Sequence, residues 1–171
     1  PLVIHVHATE FDRSGEHVNQ RVYDIEREGM MQADRVITVS NLTRNIVIER
    51  YGIDPDKVFT VYNGADAFQA PAIERIDKPF PEKVVTFLGR ITFQKGPDYF
   101  VEAAKKVLEK DENVRFVMAG SGDMLPRIVR MVSKHRMGHK FHFTGFLKGN
   151  DVDKMFSYSD VYVMPSVSEP F

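Results

Sequence analysis

Short apolar runs alternate along the chain with stretches whose apolar residues recur at helical spacing. The runs of strand length fall at residues 2–6, 36–39, 58–62, 84–88, 114–119, 141–144 and 160–164. Several are apolar on successive residues, the pattern of strands buried on both faces of a parallel sheet. The stretches between them carry readable helix ends. Ser40 is placed to cap a helix over residues 41–51, with Gly52 just past its end. Pro97 opens a helix whose inner face is Phe100, Val101, Ala104, Val107 and Leu108. Leu125, Ile128, Val129 and Val132 repeat that face, with Pro126 still in the first turn. Asn150 is the expected cap of a short helix presenting Val152, Met155 and Phe156. Repeated β-α-β units predict an α/β fold with doubly wound parallel sheets.

Residues 70–83 break the rhythm, with Pro71, Pro79 and Pro81, mixed charges and no periodicity. They read as a crossing between two α/β lobes, residues 1–69 and 84–171. A single domain with one long loop is the alternative. The totals narrow the class. The composition is 43% hydrophobic and 27% charged with 13 Phe, as in a globular protein that fills a core. A net charge of -1 gives no bulk electrostatic case for nucleic acid or an anionic membrane. The absence of cysteine excludes a disulfide framework and thiolate metal sites, and suits a cytoplasmic location. No apolar run approaches the roughly 18 residues of a membrane span. The first residue is Pro, so the chain reads as cut or processed at that end.

In a parallel sheet, ligands gather at the carboxyl ends of strands, where loops enter helix N-termini. Four segments occupy such places. Gly89-Arg90-Ile91-Thr92-Phe93-Gln94-Lys95-Gly96-Pro97 brings two cations, two glycines and a helix start together, which suits a diphosphate. It lacks the Gly-Lys-Ser/Thr ending of a Walker A loop. Gly120-Ser121-Gly122 opens like a dinucleotide fingerprint but lacks the third glycine, and the next strand ends without a ribose-binding acid. A nicotinamide cofactor is therefore disfavoured; a ligand contact and a tight strand-to-helix turn stand even. Gly145-Phe146-Leu147 offers backbone groups and an apolar face to a nucleobase, or is an ordinary loop. Pro165-Ser166-Val167-Ser168-Glu169 sets a carboxylate after the last strand. His5 and His7 share one strand face, but no third ligand has convincing spacing, so no metal site is assigned. His17, His135, His139 and His142 read as surface or packing residues. Asp151-Val152-Asp153 lies in a first helical turn, where acids complement the dipole.

Taken in order, the segments His7-Ala8-Thr9-Glu10, residues 33–40, Val61-Tyr62-Asn63-Gly64-Ala65-Asp66, Gly89-Arg90 with Lys95-Gly96, Ala119-Gly120-Ser121-Gly122, Phe143-Thr144-Gly145-Phe146 and residues 160–171 resemble one family. It is family 4 of the retaining glycosyltransferases, the glycogen-synthase-like group with the GT-B fold of two Rossmann-like lobes. The resemblance implies transfer of a hexosyl unit from a nucleotide-diphosphate sugar to a saccharide or other hydroxyl acceptor, with no metal and no cofactor. It implies that Arg90 and Lys95 grip the diphosphate, that Glu169 and His7 serve the donor sugar, and that Gly145, Phe146 and Leu147 frame the base. Gly89, Gly120, Ser121 and Gly122 complete the implied donor site. The family's second motif acid would fall beyond Phe171, so the chain reads as the end of the acceptor lobe plus most of the donor lobe. By itself it is expected to be inactive. A non-catalytic nucleotide-sugar-binding module and a sugar-nucleotide epimerase of the same fold are the alternatives. Nucleotide, sugar, acceptor and oligomeric state are left open.

Overall fold

The computed structural model describes residues 1–64 and 77–171. The chain divides into two compact units, one of Pro1–Gln69 with Ser168–Phe171, the other of Ala70–Val167. Residues 70–76 of the expected crossing, and Ala65 and Asp66 of the third motif, lie outside the described residues.

In the first unit, β1 (Val3–Val6), β2 (Arg35–Thr38) and β3 (Val58–Thr60) form a parallel sheet in that order. The short α1 (Glu10–Ser14) and α2 (Gln20–Gln32) connect β1 to β2, and α3 (Asn41–Glu49) leads towards β3. Ser40 caps α3 by accepting from the Thr43 amide at 3.1 Å. Gly52, at φ +68°, takes the left-handed conformation that ends it, its amide reaching the Ile48 carbonyl. Val6, Met30, Ala33, Val36, Val47, Tyr51, Ile53 and Val58 form the core.

In the second unit, β4 (Lys83–Leu88), β5 (Val114–Ala119), β6 (Phe141–Gly145) and β7 (Val161–Tyr162) form a wholly parallel sheet ordered β6-β5-β4-β7. Between them run α4 (Pro97–Leu108), α5 (Leu125–Lys134) and α6 (Asn150–Tyr158). Phe87, Phe100, Val101, Phe116, Ile128 and Val132 are among the core residues beneath α4 and α5. Phe100 meets Phe116 and Phe141 edge-on, at 5.9 and 6.3 Å between ring centres. The chain winds outward from β4 to β6, then returns to place β7 on β4's other side. That reversal makes the β4–β7 junction a topological switch point, where such sheets open a crevice for ligands.

Several expectations on the elements change. The helix expected from an Asn150 cap has Gly149 at its cap, at φ +50°, and Asn150 is its first helical residue. The strand expected over residues 160–164 narrows to two residues, although Asp160 and Val163 still donate to the Val84 and Thr86 carbonyls of β4. The strand expected to residue 62 stops at Thr60, leaving Val61 and Tyr62 exposed. The terminal residues 168–171 pack with the first unit and not with the sheet they follow, because Asp12, Ser40 and Thr43 bond to them.

Candidate functional site

The carboxyl edge of the second sheet is assembled from three loops pressed together. Gly89 donates to the Ala119 carbonyl at 3.0 Å, Ile91 to that of Ser121 at 2.9 Å, and Met124 back to that of Ile91 at 3.0 Å. These bonds zip the loop after β4 to the loop after β5. The approach is so close that a Cβ on Gly120, at φ +142°, would lie 1.8 Å from the Gly89 carbonyl oxygen. On Gly122 it would lie 2.3 Å from that of Ile91. Gly120 and Gly122 are thus needed by the neighbouring backbone, whatever ligand they also admit. On the other side, Gly96 at φ +59° abuts the Pro165 carbonyl just beyond β7, and Val167 donates to the Gln94 carbonyl at 2.9 Å. The cation-bearing loop is therefore buttressed from β5 and from β7.

Within this loop Arg90 is exposed, and its Nη2 donates to Gln94 Oε1 at 3.2 Å. Gln94 is 5% exposed, so a buried amide holds the guanidinium. Nothing in the sequence marks Gln94 for this role, since a glutamine between two cations carries no signal of its own. Residues Phe93–Lys95 form a single 3-10 turn, and left-handed Gly96 hands the chain to Pro97 at the start of α4. Lys95 is half-buried in that turn. Ser166 Oγ, beyond β7, is buried and lacks a hydrogen-bond partner among the described residues. The arrangement sets two cations and backbone donors at the carboxyl edge of the sheet beside the β4–β7 switch point, which suits a phosphate-bearing ligand.

At the end of β6, Gly145 stands at φ +71° and its carbonyl accepts from the Gly120 amide at 2.8 Å. Phe146 is 67% exposed, with Lys148 Nζ 5.7 Å from the centre of its ring. Leu147 turns instead into a groove of about 1020 Å³ beside α6, lined also by Val117, His142, Met155 and Tyr158. Asp160 fastens β7 to this sheet. Its Oδ2 accepts from the Val84 amide at 2.8 Å and from Lys78 Nζ, and these bonds, led by that from Lys78, lower its pKa to about 2.

The first unit holds His7 and Glu169. His7 is exposed at the end of β1, its ring 4.2 Å from that of His5, beside a groove of about 390 Å³ that Arg13 and Glu26 also line. Among the described residues no group of three His, Asp or Glu is spaced to hold a metal. Behind His7 lies a buried polar knot that the sequence did not single out. Thr9 and Asp12 close a capping box around α1, and Tyr51 donates to Glu26 Oε2 at 2.5 Å. Burial and that acidic partner push the Tyr51 hydroxyl well above its ordinary range. Burial also pulls the Glu10 carboxyl up, but bonds from Ser14, the Asn19 amide and Arg13 outweigh it and hold the group below its usual value. Glu169 follows Ser168, which bonds to Asp12 of this knot at 2.6 Å.

A model of the family described as glycosyl transferases group 1 matches residues 68–171, and one described as glycosyltransferase family 4 matches residues 1–67. The chain belongs to the group 1 glycosyl transferases. It is 32% identical to an uncharacterized glycosyltransferase of Methanocaldococcus jannaschii, covering 100% of this chain and 47% of that protein. It is 25% identical to a glycogen synthase of Mycobacterium tuberculosis, covering 100% and 42%. The crystal structure of Anabaena HepE in complex with UDP-glucose superposes with a TM-score of 0.78 at 20% identity, over 100% of this chain and 48% of that one. The fold is accordingly a part of the GT-B architecture. The chain spans about half the length of the curated relatives it matches. No helix among the described residues is long and apolar enough to cross a membrane.

Proposed function

We propose that this chain is the central part of a retaining, metal-independent glycosyltransferase that moves a hexosyl unit from a nucleotide-diphosphate sugar to a hydroxyl acceptor. The reading is supported by the loop after β4, which carries Arg90, held by Gln94, and Lys95 beside the switch point of a parallel sheet. Membership of the group 1 family supports it. When the bond between the anomeric carbon and the diphosphate oxygen breaks, negative charge develops on the leaving nucleotide. A preorganised guanidinium and ammonium stabilise that charge without reorganising as it forms. The acceptor hydroxyl then bonds to the anomeric carbon, its proton passing to a donor phosphate oxygen on the same face, which preserves configuration. Arg90 and Lys95 take the diphosphate, Glu169 and His7 serve the sugar, and Gly89, Gly120, Ser121, Gly122 and residues 145–147 frame the nucleotide.

The test is an assay of the intact enzyme with UDP-, ADP- and GDP-hexoses and a panel of saccharide acceptors, in the presence of EDTA. The expected product keeps the donor's anomeric configuration by NMR, and EDTA does not slow its formation. Inverted product, or loss of activity on chelation, would overturn the finer reading. Conversion of donor without acceptor would point to an epimerase.

A further inference from the structure

Glu169 lies between two anchored neighbours. On one side the Ser168 hydroxyl donates to Asp12 Oδ1 at 2.6 Å. On the other, the Pro170 carbonyl accepts from Thr43 Oγ1 at 3.0 Å and from the Ser40 hydroxyl. Asp12 is only 1% exposed, and its second oxygen is already held by the Thr9 amide at 2.7 Å and the Thr9 hydroxyl at 2.9 Å. The acceptor offered to Ser168 is thus fixed by α1's own capping box. The Pro170 carbonyl, for its part, sits at the N-terminus of α3, where the helix dipole favours partial negative charge. Neither bond is needed to cap a helix. Asp12 completes the capping box with Thr9, and Ser40 caps α3 through the Thr43 amide. Both bonds act on the strip that carries Glu169, one residue to either side of it.

We propose that Asp12 and Thr43 are positioning residues, which act through Ser168 and the Pro170 carbonyl to fix the backbone of Glu169 and so aim its carboxylate at the donor sugar. This rests on the reading of Glu169 as the acid that serves that sugar. A carboxylate on an untethered loop would sample many orientations, and a misplacement of about 1 Å can cost a reaction roughly a hundredfold in rate. Two anchors flanking one residue remove most of that freedom. Affinity for the nucleotide should not depend on them, because the diphosphate-binding loop is built by β4, β5 and β7 of the other unit.

The experiment compares Ser168→Ala, Thr43→Val, Ser168→Thr, Glu169→Gln and the double variant Ser168→Ala/Glu169→Gln in the intact enzyme. It measures kcat, KM, melting temperature and the Kd of the nucleoside diphosphate that the wild type releases. Ser168→Ala and Thr43→Val are expected to lower kcat roughly ten- to a hundredfold, with that Kd and the melting temperature unchanged. Ser168→Thr should restore most of the rate. Ser168→Ala should cost little once Glu169 is Gln, since both changes disable one group. A wild-type kcat in Ser168→Ala would overturn the inference, as would a full additional loss in the double variant, or a kcat loss matched by lower melting temperature and weaker diphosphate binding. Absence of transfer by the wild type would remove the proposed function, and this inference with it; transfer with unaffected variants removes the inference alone.

Discussion

An arginine on a strand-end loop can swing widely unless something holds it, and here the buried Gln94 amide does. Arg90→Ala and Lys95→Ala should each lower turnover roughly 10²–10³-fold, the scale of losing one preorganised transition-state donor. Because Arg90 is exposed, its removal should shift stability by no more than about 0.5 kcal/mol. Steady-state kinetics beside a urea titration checks both statements, and near-normal kinetics would take the pair out of the mechanism. Gly120→Ala should behave in the opposite way. At φ +142° and with the Gly89 carbonyl in its path, it should lose more than about 1 kcal/mol of stability and disturb the Arg90 loop as well. The loop's composition is visible in the sequence, but two cations, two glycines and a proline in nine residues fit solvated surface charges as readily as a phosphate site until the strand, loop and helix around them are considered. The reason for Gly120 and Gly122 is not visible there. A glycine that admits a ligand and one that admits a neighbouring loop read alike along a single chain.

Among the elements, β7 shows how little strand suffices when a side chain completes the pairing. Two residues lie in the strand, and the Asp160 carboxylate adds the Val84 amide and Lys78 to their ladder. Its pKa is lowered from 3.8 to about 2, so its contribution to stability is complete above the ordinary value and is lost as pH falls through about 2. Asp160→Asn should therefore destabilise the second unit at neutral pH. The gap from the wild type should hold from about pH 7 to about pH 5 and narrow below about pH 4. Urea midpoints across that range test it, and a gap that widens on acidification would contradict the assignment. Helices with a strong start were visible in advance, with Ser40 before α3 and Pro97 at the head of α4. By contrast α2 is not among the helices the sequence pattern marks, although the Asn19 side chain caps it and Met30 is fully buried. Asn150 misled for a related reason. Asparagine is a good cap wherever one is wanted, but Gly149 at φ +50° had already turned the chain.

At the scale of the molecule, each unit has its own parallel sheet and its own core, and the chain spans about half the length of its curated relatives. The loop after β4 is shaped within the second unit: among the described residues its backbone bonds run within itself, to the end of β5 and the loop that follows, to α4 and to the segment after β7. Binding of the nucleotide and transfer of the sugar should therefore separate in this 171-residue chain. Transfer requires donor, acceptor and catalytic groups held together in near-attack geometry, a requirement worth on the order of 7–11 kcal/mol of the barrier. Phosphate binding, on the proposed function, needs only the cations and backbone donors of the loop after β4. The chain by itself is expected to bind a nucleoside diphosphate weakly and to transfer no sugar. With Arg90 exposed, the attraction is screened, and affinity should fall as salt rises from about 0.01 M to about 0.15 M, where the screening length drops from about 30 Å to about 8 Å. Calorimetric titration with the diphosphate at several salt concentrations, beside a transfer assay of the same preparation and of the intact enzyme, tests the separation. Turnover by the chain comparable to that of the intact enzyme would show that these residues hold every group the reaction needs. Binding indifferent to salt would show instead that the two cations do not carry the affinity.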